Sequence, residues 1–510
     1  MTGKSSSLWM VALTAMLVAL VAAGVYGYAQ QLLHGDVVTG MRTIGAGGVV
    51  WGLYIVMDGF FLGAGIVVML IACLARLFGG PRLEPVARIA MPVAITCFLG
   101  AGLSVLADQG RPLAAFRALS LFARPQSPMF VTFTTVTAVC LFGSLVHCVL
   151  ARRPDLAEYG KRESFWQPLQ RWLAAGYAGT PAERYRRAKS GFWMSFFMVP
   201  ALLVPLLALA VLFTVRPARP IPWALLEIAS FLLASGAAGV GLLLVAAGLV
   251  EATAGQRAGL GPIARARLAA ALLLLASLAL ASSIASGIVG LAAGEPAVVD
   301  VARAMVSSGE EAPLFWGELA CFFGAALALL WEARRGFRRA TRIVAAAALT
   351  QLGAFAHHYL QLLVWQTHGL SLPYTPGTYV PTVLEMLVGS GVVAFSLLAL
   401  LPAVRLIPFA PVVPEMTASV PVPLPDWRRR FVTVVWGVGG GALATVGLAL
   451  SARVGTEPFL DPVVVGSPLL FALGLCLLVT TGAVYELWPE RSRLSALTPL
   501  AQTEQGGSDE

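Results

Sequence analysis

Apolar runs of about 18 residues or more recur from one end of the chain to the other, separated by short segments rich in charge, proline and glycine. In lipid, a run of that length satisfies its backbone polar groups only as a helix. The pattern therefore predicts an all-α polytopic membrane protein with about twelve transmembrane helices. They fall at roughly residues 8–26, 49–77, 89–106, 129–150, 193–215 and 223–250 in the first half. The second half adds 268–291, 313–331, 343–365, 379–406, 431–450 and 463–487.

The polar punctuation orients these spans. With the N-terminus inside, 27 of the 35 Lys and Arg residues fall in inner segments, so both termini are expected on the cytoplasmic side of a bacterial cytoplasmic (inner) membrane. The first span has a signal-peptide feature, with Lys4 ahead of an apolar run that ends near Ala22-Ala23-Gly24. Tyr26 and Tyr28 read it instead as a span with an interfacial anchor. Composition agrees with the pattern: over 510 residues, 58% are hydrophobic and 12% charged, about half the charged share of soluble domains. Mean hydropathy is +0.80. A soluble enzyme, a disordered scaffold and a nucleic-acid-binding domain are excluded. The net charge of +9 is accounted for by the orienting arginine blocks.

An ionisable side chain inside a span is costly, and each is a functional candidate by default. At about 1.5 Å per residue, Asp58 falls about 13 Å below the outer end of its run, Glu227, Glu318 and Glu385 about 7–10 Å, and His357 and His358 about 10–12 Å. These six lie in the outer half, on five helices, while His147 and Glu486 lie near the inner face. The three glutamates occupy first turns, where a carboxylate also complements the helix dipole. Asp58 lacks that structural reason. Adjacent histidines lie about 100° apart on a helix, so one of the pair faces elsewhere. Asp108-Gln-Gly-Arg111-Pro closes the third run, an Asp and an Arg able to pair or to hold a polar head group.

Metal chemistry is not predicted. The six cysteines (Cys73, Cys97, Cys140, Cys148, Cys321, Cys476) sit in apolar stretches with no CxxC spacing. Of the five histidines only His147, His357 and His358 are embedded, too few for two haems. No metal site, haem or iron–sulfur cluster is expected in this chain.

Several stretches resemble the polysulfide-reductase membrane-subunit family, often called NrfD-like. They are Trp51-Gly-Leu-Tyr54-Ile with Phe60-Phe-Leu-Gly-Ala-Gly65, Pro85-Val-Ala-Arg-Ile-Ala, Asp108-Gln-Gly-Arg-Pro, Gln126-Ser-Pro-Met129, Trp316-Gly-Glu318 and Tyr379-Val-Pro-Thr-Val-Leu-Glu385, in that order. The resemblance divides the chain into an N-terminal helix and outer loop (1–44), a core (45–406), and a Pro-rich linker with two extra helices and a disordered tail (407–510). It implies two four-helix bundles in the core and a quinone site reached from the outer side. It also implies no redox metal, an iron–sulfur (4Fe-4S, ferredoxin-like) partner subunit, and often a molybdopterin or other catalytic subunit beside it. Carried onto this sequence, it assigns Trp51, Tyr54, Asp58, Asp108 and Arg111 to quinone binding. Glu227, Glu318 and Glu385 go to the second bundle and distal signature, as a proton path. Gln109 departs from the usual DLGRP-type turn, and His357-His358 matches no family motif.

The expected function is exchange of electrons and protons between menaquinone or ubiquinone and the partner, with Asp58 and a histidine of the ninth span as catalytic relay groups. The plan also permits proton translocation. Two rival readings remain: a proton-coupled secondary transporter, which twelve spans and buried carboxylates also suit, and a purely structural membrane anchor. A weak echo between Trp51…Asp58…Gly63 and Trp223…Glu227…Gly239 begins spans of equal direction, and the small residues in each would allow close helix packing.

Overall fold

The computed structural model describes residues 3–41, 49–77, 83–110, 136–214, 221–254, 259–368, 379–406, 426–451 and 477. Thirteen α-helices occupy the described residues: α1 (Gly3–His34), α2 (Leu53–Leu77), α3 (Glu84–Asp108), α4 (Ser144–Tyr159), α5 (Gln167–Ala174), α6 (Pro181–Thr214), α7 (Ile221–Ala254), α8 (Pro262–Leu291), α9 (Pro296–Arg303), α10 (Ala312–Arg334), α11 (Ala340–Thr367), α12 (Val383–Leu406) and α13 (Asp426–Ser451). A stretch of π-type turns, Val136–Gly143, leads into α4. Eight helices are long and apolar enough to cross a membrane: α1, α2, α3, α6, α7, α8, α10 and α12. Eight of the twelve expected spans coincide with these helices; those at 129–150, 343–365 and 431–450 overlap α4, α11 and α13, with 129–135 outside the described residues, and the run at 463–487 lies outside them apart from Leu477.

Two four-helix bundles share a wall. In the first, α2 packs on α3 and α6, and α4 with its π-type lead closes the ring between them. In the second, α7, α8, α10 and α11 form a ring in which each helix packs on two others. Helix α2 meets α7 where both carry small residues. A Cβ on Gly63 would strike the Ser235 side chain, and one on Gly239 would strike Val67 and the Ala64 carbonyl. Close approach of backbones at small residues is how helices gain dispersion contacts in an apolar solvent. The small-residue echo thus marks the seam between bundles.

Helix α1 is an integral part of the assembly. It crosses α12 so closely that a Cβ on Gly24 would lie 2.7 Å from the Cα of Gly391. Tyr28 and Gln31 donate to the Leu106 and Ala107 carbonyls of α3, at 3.2 and 3.1 Å. The α1–α12 pair flanks the first bundle. Below, "upper" denotes the end where α2, α7, α10 and α12 begin, which the Lys/Arg bias assigns to the outer side. The segment at 151–192, at the other end, is largely helical: α4 continues to Tyr159, α5 follows, and α6 starts at Pro181.

Candidate functional site

Three polar clusters occupy the bundles. The first lies at the upper end of α1, α2 and α3. Helix α2 starts at Leu53, later than its apolar run, because the preceding backbone is held by side chains. Gln366 accepts from the Val50 and Trp51 N–H groups (both 3.1 Å) and donates to the Trp51 carbonyl (3.0 Å), while the Leu53 N–H donates to the Tyr379 hydroxyl (2.8 Å). Asp58 therefore sits in the second turn, about 8 Å below the helix start rather than 13 Å. Tyr54, one turn above it, is fully buried and donates to Gln31 Oε1 at 3.0 Å; Gln31 in turn donates to Asp36 at 3.0 Å. Asp108, the last residue of α3, is buried at the same end. Asp58 is itself buried and makes no hydrogen bond among the described residues. Trp51 packs on Phe213 of α6, ring centres 6.4 Å apart. Arg111, expected beside Asp108, lies outside the described residues, as does Glu486.

The second cluster crosses the second bundle. Glu227 (α7), Ser283 and Ser286 (α8), Glu318 (α10), and His357 and Gln361 (α11) line a cavity of about 30 Å³, room for about one water molecule. Its polar groups interlock. Ser286 donates to Glu227, whose other carboxylate oxygen accepts from Gln361 Nε2 at 2.9 Å. Ser283 donates to Glu318 Oε1 at 2.5 Å, and the same oxygen lies 2.9 Å from His357 Nδ1. His357 Nε2 lies 3.2 Å from Ser230 Oγ, which lies 3.1 Å from Ser282 Oγ. The structure thus brings Glu227, Glu318 and His357 together. The serines do not stand out in the sequence, although Ser282, Ser283 and Ser286 recur at helical spacing on α8.

The adjacent histidines face different surroundings. His358 points to the seam between bundles, 4.7 Å from the Phe231 ring and 6.2 Å from that of Phe60, and neither ring nitrogen has a hydrogen-bond partner among the described residues. Phe231 continues to Phe213 at 5.8 Å, so an aromatic row runs from Trp51 to His358. Phe60 is two residues from Asp58, about 200° around the helix. Asp58 and the histidines therefore lie on opposite sides of α2.

Glu385 belongs to neither the second bundle nor its polar chain. Helix α12 packs on α1, α3 and α2. Glu385 is fully buried and closes a capping box with Thr382: its carboxylate accepts from the Thr382 N–H at 2.9 Å, and its own N–H donates to Thr382 Oγ1 at 3.3 Å. It also accepts from the Tyr379 hydroxyl (2.7 Å) and the Gly40 N–H (2.9 Å), tying α12 to the segment after α1.

A third cluster, at the lower end, reads in the sequence only as orienting charge. Arg88 pairs with Asp155 at 2.8 Å and with Glu84 at 3.3 Å; Glu84 also pairs with Arg76 at 3.2 Å. Arg152, fully buried, donates to the Arg88 carbonyl at 2.6 Å. His147 is buried with Nε2 3.0 Å from Ser195 Oγ. The i,i+4 pair Glu84–Arg88 and the i,i+3 pair Arg152–Asp155 are the available signals. Among the described residues no group of His, Cys, Asp and Glu has the arrangement of a metal site.

Residues 43–367 match the family described as Polysulphide reductase, NrfD. The chain is also 30% identical over 240 residues to a putative dimethyl sulfoxide reductase membrane subunit of Halobacterium salinarum, covering 46% of this chain and 51% of that protein. It spans about half the length of that curated relative. The match takes in both bundles, with α2 through α11 inside it and α12 beyond its end. With apolar helices throughout and the family's residues spread across both bundles, the chain is a multi-pass membrane protein belonging to the NrfD polysulphide reductase family.

Proposed function

We propose that the chain is the quinone-reactive membrane subunit of a respiratory oxidoreductase complex in a bacterial cytoplasmic membrane, both termini cytoplasmic. It exchanges electrons with an iron–sulfur partner and protons with the outer side. Family membership and the relative's name, a reductase membrane subunit, support the class. The observation that carries the site is Asp58: a buried carboxyl with no hydrogen-bond partner among the described residues, one turn below Tyr54 and near Asp108. Buried polar groups are normally satisfied within the protein. One left open, one turn below Tyr54 on the same helix, suits a ligand carrying polar oxygens on a flat ring.

Quinol oxidation releases two electrons and two protons; quinone reduction takes them up. On this reading Tyr54, Asp58 and Asp108, with Arg111 following, bind and orient the ring, and Asp58 accepts or returns a proton at a ring oxygen. Trp51 forms part of the apolar wall. Electrons pass to or from the partner's cluster, and the partner's potential decides the direction. Glu227, Glu318 and His357 form a proton path in the second bundle, linked through Ser283. Glu385 is an anchoring residue outside that path.

The test is purification in mild detergent, with iron content and EPR recorded before and after a soluble quinol is added. Iron–sulfur signals that co-purify and respond to quinol, and a response lost in Asp58→Asn, are expected. An iron-free protein from gently solubilised membranes would overturn the reading and favour the transporter.

A further inference from the structure

The lower-end turn between α10 and α11 combines rigidity with unspent positive charge. Helix α10 ends in a Schellman closure, Gly336 (φ 72°) donating to the Ala333 carbonyl at 3.0 Å and Phe337 to that of Glu332 at 2.8 Å. Phe337, itself at φ 54°, packs against the main core and pins the turn. Glu332 is the segment's acid. It is buried, and it is occupied by the Arg339 N–H at 3.2 Å and by Arg342 at 3.1 Å.

That leaves Arg334 and Arg338 exposed, with no acidic partner among the described residues, and Arg335 exposed within the field of Glu332. They border an open cleft of about 680 Å³ with Glu332, Gly336 and Arg339. Trp331, half-exposed, carries the Arg335 and Arg342 guanidinium groups 4.5 and 4.6 Å from its ring centre. Two other basic side chains at this end are spent within the protein, while the basic segment at 184–189 is largely exposed but has no such turn or cleft among the described residues. Arg153 donates to the Ala174 and Ala175 carbonyls, and Lys161 pairs with Glu158. Directly above the arginines, α10 exposes Phe323, Leu327 and Leu330 at i, i+4 and i+7. A stripe of that kind suits acyl chains, which a free anion does not have.

We propose that this turn binds the phosphate of one anionic phospholipid, with the acyl chains lying along Phe323, Leu327 and Leu330. Guanidinium forks match phosphate oxygens in pairs. Trp331 sits where an aromatic ring anchors at a membrane–water boundary. Orienting charge alone requires neither a fixed turn nor a cleft. The site stands independently of the quinone reading.

Native mass spectrometry of the full chain tests it, with dioleoylphosphatidylglycerol, dioleoylphosphatidylcholine and inorganic phosphate as probes. One phosphatidylglycerol should be retained in preference to phosphatidylcholine and should resist displacement by inorganic phosphate. Arg334→Gln and Arg338→Gln should each weaken it about fivefold, the contribution of one basic group near anionic lipid. Arg184→Gln, in another basic segment, should not. Equal retention of the two lipids, displacement by inorganic phosphate, unchanged affinity in R334Q and R338Q, or an equal loss in R184Q would each overturn the proposal. The two-lipid comparison uses the unmodified protein, so it decides even if a variant fails to insert.

Discussion

The Glu318 carboxylate of α10 and the His357 imidazole of α11 meet at 2.9 Å, and Ser283 of α8 donates to the same carboxylate oxygen at 2.5 Å. Three helices of the second bundle thus converge on one oxygen, and a fourth, α7, reaches the other side of the imidazole through Ser230 at 3.2 Å. A proton on this pair can sit on either partner with little movement of heavy atoms.

Glu318→Gln keeps the volume and hydrogen-bonding capacity of the site but cannot exchange a proton. If the pair lies on the proton path, quinol-driven turnover should fall by about 10²-fold or more, the usual weight of a positioned acid–base group. Quinol affinity should stay unchanged, because Asp58 and Tyr54, the proposed quinone-binding residues, belong to the other bundle. Steady-state turnover beside a quinol-binding titration checks both. Turnover at the unmodified rate would remove Glu318 from the path.

The Arg88–Asp155 pair joins α3 to α4 at 2.8 Å with both side chains buried. Removing Asp155 leaves Arg88 only Glu84 at 3.3 Å and takes from buried Arg152 its carboxylate neighbour at 3.7 Å, so Asp155→Ala should cost about 3 kcal/mol, the low end for a broken buried pair. Replacing both by apolar residues of similar volume, Arg88→Met with Asp155→Leu, should recover only part of the loss, because Arg152 lacks its carboxylate neighbour in both variants. Thermal unfolding of the detergent-solubilised protein measures it. A double variant no better than the single would show that the pair carries more than its own balance of charge.

Two capping boxes test how burial weights the same motif. Glu183 accepts from the Thr180 and Ala178 N–H groups at 3.1 Å at the start of α6, in the open. The Thr180 N–H bond holds its carboxyl below the usual range. A folded value below the unfolded one means that the contribution is complete above the unfolded value and is lost as pH falls through the folded one. Hydrogen exchange at 181–186 should therefore quicken only at acid pH, with the transmembrane part of α6 unchanged. Glu385 closes the buried version, and Glu385→Ala also strands the Tyr379 hydroxyl and the Gly40 N–H. It should cost roughly 2–6 kcal/mol, from about 1–3 for each stranded group. Glu385→Gln should retain turnover; loss of turnover there at full stability would return Glu385 to the proton path.

Element positions were legible in the chain, because apolar run length is a local property; the depth of Asp58 was not, since side-chain contacts to residues 50–53 delay the start of α2 and bring it to about 8 Å. Neither was partnership. Asp58 and His358 share a depth, but which side of α2 each meets depends on helix rotation, and no single run encodes that. Glu385 is claimed by the segment after α1, more than 340 residues away in sequence, and pairing at that separation leaves no trace in hydrophobic pattern. The serines of the second cluster were hidden because a hydroxyl in an apolar helix often bonds its own backbone, as Thr350 does here at 2.7 Å. Arg88 and Arg152 count as orientation signals in the sequence, a role their side chains exceed.

The seam between bundles offers the cleanest packing test. A Cβ on Gly63 would meet Ser235 Oγ at 2.5 Å and Ser235 Cβ at 3.0 Å, so Gly63→Ala should cost about 1–3 kcal/mol, as overpacked cores do. The Ser235 hydroxyl is buried with no hydrogen-bond partner among the described residues, so Ser235→Ala forfeits no bond and removes the nearest obstruction. The double variant should regain more than half of the loss in thermal unfolding, a coupling that residues in direct contact produce and distant ones do not. Gly239 is less forgiving, since its Cβ would meet the branched Val67 and the Ala64 carbonyl, backbone that cannot swing aside. Gly239→Ala should therefore cost more than Gly63→Ala and resist rescue by Val67→Ala. Full rescue there would mean that α2 and α7 can separate at the seam, and that the two bundles are joined less rigidly than this crossing implies.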